Sequence, residues 1–256
     1  MQSLGDVLER LHTAWDRLNS AQGTMRFWHE PRRARRAYEA WRHASPPGSI
    51  EPLRAAGARA DASPAAEPAD TLREVAIEGY FRFWMAKPWH WRIERLRADS
   101  RGQLSELHEI MVINGAVWWV WIQDEQHKVH TNARAAHPEQ RAHDGVDRAL
   151  LVMLDPAPLL GTLRLHGVGS AEELGRQADV VQGTVRNPQP DPGLWPGADQ
   201  YRLLVDRQCG ILLRAEALLA GEVYAGTAFT ELVLDQPIPE ERFVLQVPRG
   251  ARVHYY

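Results

Sequence analysis

The side chains of this chain that could do chemistry are few and poorly spaced for it. His127 and His130 stand three apart, and His137, His143, Asp144 and Asp147 follow, so one stretch offers imidazole and carboxylate groups to a metal ion. Their spacing matches no standard zinc signature, and residues three apart on a strand face opposite ways, so solvated loop histidines are expected instead. Glu94 with Asp99 or Glu106 would make a carboxylate pair for acid–base work, but Glu94 alternates with Arg92 and is expected to pair across strands. No Gly-x-Ser-x-Gly elbow and no phosphate-binding loop occur, and Gly167-Val-Gly169 lacks the third glycine of a dinucleotide fingerprint. Cys209 sits in a hairpin turn with no helix N-terminus to lower its pKa, and a single cysteine excludes an intrachain disulfide. Lys87 and Lys128 are the only lysines, which leaves little room for a hidden catalytic amine. No catalytic group, metal or cofactor is expected, and the chain reads as a binding protein before an enzyme.

What stands out is aromatic. Trp84, Trp89, Trp91, Trp118, Trp119 and Trp121 are six of the ten tryptophans and fall within 38 residues of one another on three apparent strands, with Phe81 and Phe83 just before them. Large rings on adjacent strands can line a wide cavity for an apolar ligand, with indole N–H groups for its polar end; the alternative is a rigid packed core under covering helices. Both readings stay open on pattern alone.

The elements that must position these rings follow from periodicity. Leu4, Val7, Leu8, Leu11, Trp15 and Leu18 predict an amphipathic helix over 3–19 with Ser3 as N-cap, followed by a strand over 21–30. Arg32, Arg33, Arg35, Arg36 and Arg42 around Tyr38 and Trp41 could meet nucleic acid or anionic lipid, although a solvated short helix is the plainer expectation. Residues 44–70, rich in Pro, Ala, Gly and Ser without apolar period, predict a flexible insertion in a chain otherwise read as a single domain over 1–256. Two strands over 72–97 are broken at Lys87-Pro88. A hairpin turning at Asn114-Gly115, as a type I′ turn, joins strands over 104–113 and 116–123; both faces of the second are apolar, so both must be covered. Residues 145–165 read as helical on either side of Asp155-Pro156, with a further short helix over 170–176. A meander of three strands follows the Pro/Gly-rich connector 187–199, and Phe243–Pro248 reads as a final short strand.

With 256 residues, 44% of them hydrophobic, the chain can bury a full core, and a formal net charge of -3 argues against an electrostatic nucleic-acid binder. The N-terminus lacks the basic start and apolar stretch of a signal peptide, and no transmembrane run occurs, so a cytoplasmic location is the expectation as written.

Several motifs together resemble the LolA/LolB/RseB-like lipoprotein-carrier superfamily. They are Pro88-Trp-His-Trp91-Arg92-Ile93-Glu94, then Asn114-Gly115, then Trp119-Val-Trp121. The tail fits as well: Leu204-Val205-Asp206 with Gly210, Arg214, Gly221, Pro237-Ile238-Pro239, Phe243 and Val247-Pro248-Arg249-Gly250. The resemblance spans most of 1–30 and 72–253 and is to a cytoplasmic-looking, actinobacterial-type member. It implies an α+β fold, a strongly curved antiparallel sheet forming an incomplete barrel with helices capping its concave face. It also implies noncovalent binding of an acyl chain, lipid or lipidated partner in an aromatic cavity. Ligand contacts would come from Phe81, Phe83, Trp84, Trp89, Trp91, Trp119 and Trp121, and Arg92 would be the residue that latches a helical lid. The alternative the resemblance offers is a regulatory protein-interaction module of RseB type; an enzyme acting on a small apolar substrate comes third. On strand alternation, Arg92 lies opposite Trp91, so a latch in the concavity requires a bulge there.

Overall fold

The computed structural model describes residues 3–44, 77–98, 104–123, 128–134, 146–186 and 193–256. Twelve strands form one open sheet, β1 (Ser20–His29), β2 (Ile77–Ala86), β3 (His90–Ala98), β4 (Leu104–Asn114), β5 (Val117–Ile122), β6 (Lys128–Thr131), β7 (Leu163–Glu173), β8 (Arg176–Val185), β9 (Gln200–Asp206), β10 (Leu212–Leu219), β11 (Glu222–Leu234) and β12 (Arg252–Tyr255). Their spatial order is β12-β6-β5-β4-β3-β2-β1-β11-β10-β9-β8-β7, antiparallel throughout except for the parallel pair β6–β12. Register slips beside Thr24, Arg95, His166, Leu212 and Ala217 insert bulges along the ladders. Each bulge bends and twists its strand, which is how a sheet of this width curves into an incomplete barrel while keeping both edges open. The architecture expected from the sequence is the one observed.

Among the described residues four α-helices accompany the sheet: α1 (Leu4–Arg17), α2 (Pro31–Ala44), α3 (Arg148–Leu154) and α4 (Leu159–Thr162). Helix α1 starts where the sequence places it: Ser3 accepts from the Asp6 amide and Asp6 from the Ser3 amide, a reciprocal capping box. Its Val7, Leu11 and Ala14 are buried against the inner face of the sheet. Helix α3 is capped by Asp147, which accepts from the Ala149 and Leu150 amides, and it packs on β10 with Leu150 and Met153 fully buried. The inner face near β1, β10 and β11 is paved with Ala21, Ala215, Ala217, Ala225 and Thr227, small residues that allow a helix layer to come close. Gly210, at φ +84°, is where α1 meets the sheet: a Cβ there would stand 2.2 Å from the Arg10 carbonyl oxygen.

Four expectations are corrected. Residues 163–165 and 170–173, expected to be helical, belong to strand β7, and β8 follows; Ala-Glu-Glu-Leu174 reads as helical in isolation, but the ladder with β8, from Leu163 opposite Val185 to Glu173 opposite Arg176, decides it. Phe243–Pro248 is not a strand: residues Glu240–Phe243 form a 3₁₀ helix, and the segment after it crosses a face of the sheet as a strap. The last strand is β12, which runs parallel to β6. The β4–β5 turn is centred on Gly115-Ala116, since Asn114 still pairs with Val117 and only Gly115 takes positive φ. Of the insertion expected at 44–70, everything beyond Ala44 lies outside the described residues.

Candidate functional site

Strand alternation divides the predicted site residues between two faces. On β2, Phe81 and Phe83 point to the inner face and are fully buried, as is Trp91 on β3, while Trp89 joins them from the β2–β3 turn. Trp15 of α1 closes this group. Its ring lies parallel to that of Trp91 (centroids 6.3 Å apart, planes 7° apart) and meets Trp89 edge to face at 6.4 Å. Such arrangements match the ring quadrupoles, and Lys87 reinforces them by donating to the Trp15 carbonyl from 2.5 Å while lying over its ring. Phe83 also meets Phe229 of β11 at 5.5 Å.

Trp84, Trp119 and Trp121 belong to the opposite face. The register pairs Trp91 with Ile113 and Ile113 with Trp118, so Trp118 shares the face of Trp91 while Trp119 and Trp121 turn away. They pack with Val112, Val129 and Leu245 in a second, smaller core under the C-terminal strap. The two apolar faces of β5 are therefore each partly covered, Trp118 packing against the main core and Trp119 and Trp121 against the smaller one under the strap. Trp84 lies beneath the Arg242 guanidinium, 4.6 Å from its ring centre.

Arg92 is on this second face too, as alternation requires; no bulge occurs at its position. It donates to Glu94 at 2.7 Å and reaches the carbonyl oxygens of Arg242 and Val244 at 3.4 Å each. Glu94 is buried and shared with Arg82 at 3.0 Å. Arg92 thus holds backbone of the 3₁₀ helix and strap, with Phe243 and Leu245 as apolar anchors beside it, and a groove of about 450 Å³ opens along Arg92, Ile110, Pro239 and Leu245. Arg92→Leu should cost about 1–2 kcal/mol, since Glu94 keeps one guanidinium of two, and should speed proteolytic cleavage between 240 and 248. An unchanged cleavage rate would mean that Phe243 and Leu245 alone secure the strap.

The inner face holds a feature that periodicity did not reveal. Four polar atoms there are shut off from solvent without a hydrogen-bond partner among the described residues: Trp91 Nε1, Thr227 Oγ1, His29 Nδ1 and Trp195 Nε1. Register places Thr227 opposite Phe27 and Ala225 opposite His29, so Thr227 and His29 are diagonal neighbours on one face. Trp195 lies 5.3 Å from the His29 ring. It belongs to a connector tied down by Tyr201, whose hydroxyl donates to the Trp195 carbonyl, and by Tyr224, which donates to Pro196 at 3.4 Å. The only hint in the sequence is a threonine on the inward phase of Ala225-Gly-Thr-Ala-Phe229.

Burial pushes the His29 imidazole below its ordinary value, against a smaller opposing pull from Glu30. A histidine held neutral in the fold is protonated more readily in the unfolded chain. Its contribution to stability is therefore full above the ordinary value of about 6.5 and is lost as pH falls below it. The urea midpoint of the wild type should fall on acidification more than that of His29→Phe, with the difference opening below about pH 6.5; parallel curves would show that His29 does not titrate unfavourably.

The other sequence candidates are placed as follows. Cys209 donates to Asp206 and burial raises its pKa to about 12, so it is no nucleophile at neutral pH. His130 contacts Tyr256 at 2.9 Å and His254, and Asp147 caps α3 and takes Arg95 at 3.2 Å. His127, His137, His143, Asp144 and Asp99 lie outside the described residues, among which no group of three or more His, Cys, Asp or Glu side chains gathers to hold a metal ion. No helix among the described residues is long and apolar enough to cross a membrane.

No protein-family model and no curated protein matches the sequence. Solved structures similar to it include an uncharacterized conserved protein from Thermus thermophilus, 13% identical over 100% of both chains with a TM-score of 0.47. Another is MucB, 19% identical over 94% of this chain and 62% of that one, TM-score 0.43; MucB from Pseudomonas aeruginosa is also known in complex with MucA. This chain thus spans about three fifths of the MucB chain's length. A LolA superfamily protein from Nitrosomonas europaea is 10% identical over 96% of this chain and 99% of that one, TM-score 0.33.

Proposed function

We propose that the protein binds, without catalysis, a hydrophobic ligand bearing one polar group, such as an acyl chain or lipid, between its helix layer and the inner face of the sheet. The observation that carries this reading is the group of unpartnered buried polar atoms at Thr227, His29 and Trp195. Buried hydrogen-bonding groups are nearly always satisfied, and each one left open costs about 1–3 kcal/mol. Thr227, His29 and Trp195 gather at the His29 end of β1 among apolar side chains, as the few convergent polar groups of a lipid-binding pocket do, while Trp91 lies level with Ala21 toward the other end of that strand. Access needs the helix layer to shift. Helix α1 is held by the Trp15 stack and by ion pairs, and those contacts can be remade after entry.

The test combines a titration with an isosteric substitution. A fatty acid below its micelle concentration should shift the intrinsic tryptophan emission, and Thr227→Val should weaken that binding about tenfold. The same substitution should raise the stability of the free protein by about 1 kcal/mol, because it removes an unpartnered hydroxyl. Saturable binding that Thr227→Val leaves unchanged would move the ligand elsewhere, and no response at all would leave these atoms to internal water.

A second reading, a protein-interaction module, is favoured by β7. It is an eleven-residue edge strand with no neighbour on one side among the described residues, open to strand addition by a partner segment.

A further inference from the structure

We propose that the exposed face of α2 docks the protein on a bilayer surface carrying acidic phospholipids, independently of any ligand held inside the sheet. The helix has two sharply different sides. Ala34, Ala37, Tyr38 and Trp41 turn to the protein, where Ala37 is fully buried and the backbone of Gly197 packs so closely that a Cβ there would stand 1.9 Å from the Ala37 carbonyl oxygen. At 100° per residue the outward arc then carries Arg42, Arg35, Glu39, Arg32, His43 and Arg36 in order, every one of them exposed. Four arginines thus face solvent with a single carboxylate among them.

What sets these arginines apart is their number on one face. On the sheet many guanidinium groups are matched by carboxylates, Arg26 by Glu78, Arg95 by Asp147 and Arg214 by Glu173, and exposed ones such as Arg164 and Arg252 stand on separate strands. Arg33 of α2, outside the arc, is taken up by Glu30 and Glu222. Arg35, Arg36 and Arg42 form no ion pair or hydrogen bond among the described residues. A chain whose formal net charge is -3 therefore concentrates unneutralised positive charge on one helix face, and its complement is an anionic surface.

The neighbouring side chains favour lipid over nucleic acid. Strand β1 runs directly into α2, and its last residue, His29, pairs with Ile77, which is 50% exposed. The Arg33–Glu222 ion pair sets the β10–β11 turn beside the helix, and the next residue, Val223, is 37% exposed. Exposed aliphatic groups flanking arginines suit the boundary between phosphates and acyl chains. Single-stranded nucleic acid is gripped by exposed aromatic rings, whereas Tyr38 and Trp41 pack on each other and Trp41 is 9% exposed.

The experiment is flotation of the full chain with phosphatidylcholine vesicles, with and without about one third phosphatidylglycerol, at low and at physiological salt. Wild-type protein should float with the anionic vesicles only, less so as salt rises. Arg35→Gln/Arg36→Gln/Arg42→Gln should bind about a hundredfold more weakly, each arginine near an anionic surface contributing roughly fivefold. Arg164→Gln/Arg249→Gln, exposed elsewhere, should float as wild type does, and equal melting temperatures should verify that both variants fold. Failure to float with anionic vesicles overturns the proposal, as does a triple variant that floats like wild type. Tighter retention by a single-stranded oligonucleotide, lost in the triple variant, overturns it as well and assigns the face to nucleic acid.

Discussion

Replacing Asp179 by alanine should lower the unfolding free energy by about 3 kcal/mol, roughly 6–12 °C in melting temperature for a chain of this size. The Asp179 carboxylate is fully buried and accepts from Arg10 of α1 at 2.6 Å and from Arg207 at 2.8 Å, so a single group ties the first helix to the sheet and to the β9–β10 turn. Without it two largely covered guanidinium groups face each other, stripped of the carboxylate they share. Breaking a buried pair costs more than the pair contributes, because the remaining charge stays desolvated. The double variant Asp179→Ala/Arg10→Met should therefore be more stable than Asp179→Ala alone. A double variant that loses the sum of the two single losses would show that the three groups do not act as a unit. Thermal melts of the four proteins in the cycle decide it.

Trp91→Ala should cost about 3–5 kcal/mol, the range for deleting a large ring from a packed interior. Trp91 is 1% exposed, flat against Trp15 on one side and edge-on to Trp89, and both neighbours would border the void. Urea unfolding should show a lower midpoint with little change in slope. A loss below about 1 kcal/mol would mean that these rings border space rather than fill it, and would place the ligand among them instead of near Thr227.

How far the sequence could be read depended on whether each element's two faces differ. Helix α1 was legible because the Ser3 cap and the stripe of Leu4, Val7, Leu8, Leu11, Trp15 and Leu18 agree with one another, and the meander was legible because its turns carry Gly210 and Gly221. Strand β3 was legible as well: Trp91 and Ile93 alternate with Arg92 and Glu94, so Arg92 could be assigned to the face opposite Trp91. Strand β5 offers no such contrast. With Val-Trp-Trp-Val-Trp-Ile apolar in both phases, a shift of one residue exchanges the faces, and only pairing with β4 shows that Trp119 and Trp121 oppose Trp91. Strands β7 and β8 were hidden by Gly167, Gly169 and an Ala-Glu-Glu run, whose local preference is overridden by the ladder between them. The unpartnered atoms of His29, Thr227 and Trp195 come from segments far apart in the chain, and no spacing rule brings them together.

The place of β1 in the sheet bears on how the chain reaches its fold. It is the first of the described strands along the chain, yet it lies between β2 and β11, and its ladder to β11 joins residues about two hundred positions apart. During synthesis β1 can pair with β2 early, while its other edge stays bare until β11 has emerged. Contacts of such long range form slowly, because the loop entropy is lost before the pairing is gained. The half built on β2–β6 thus waits for the half built on β7–β11, and through that interval β1 is an open edge able to recruit a second chain.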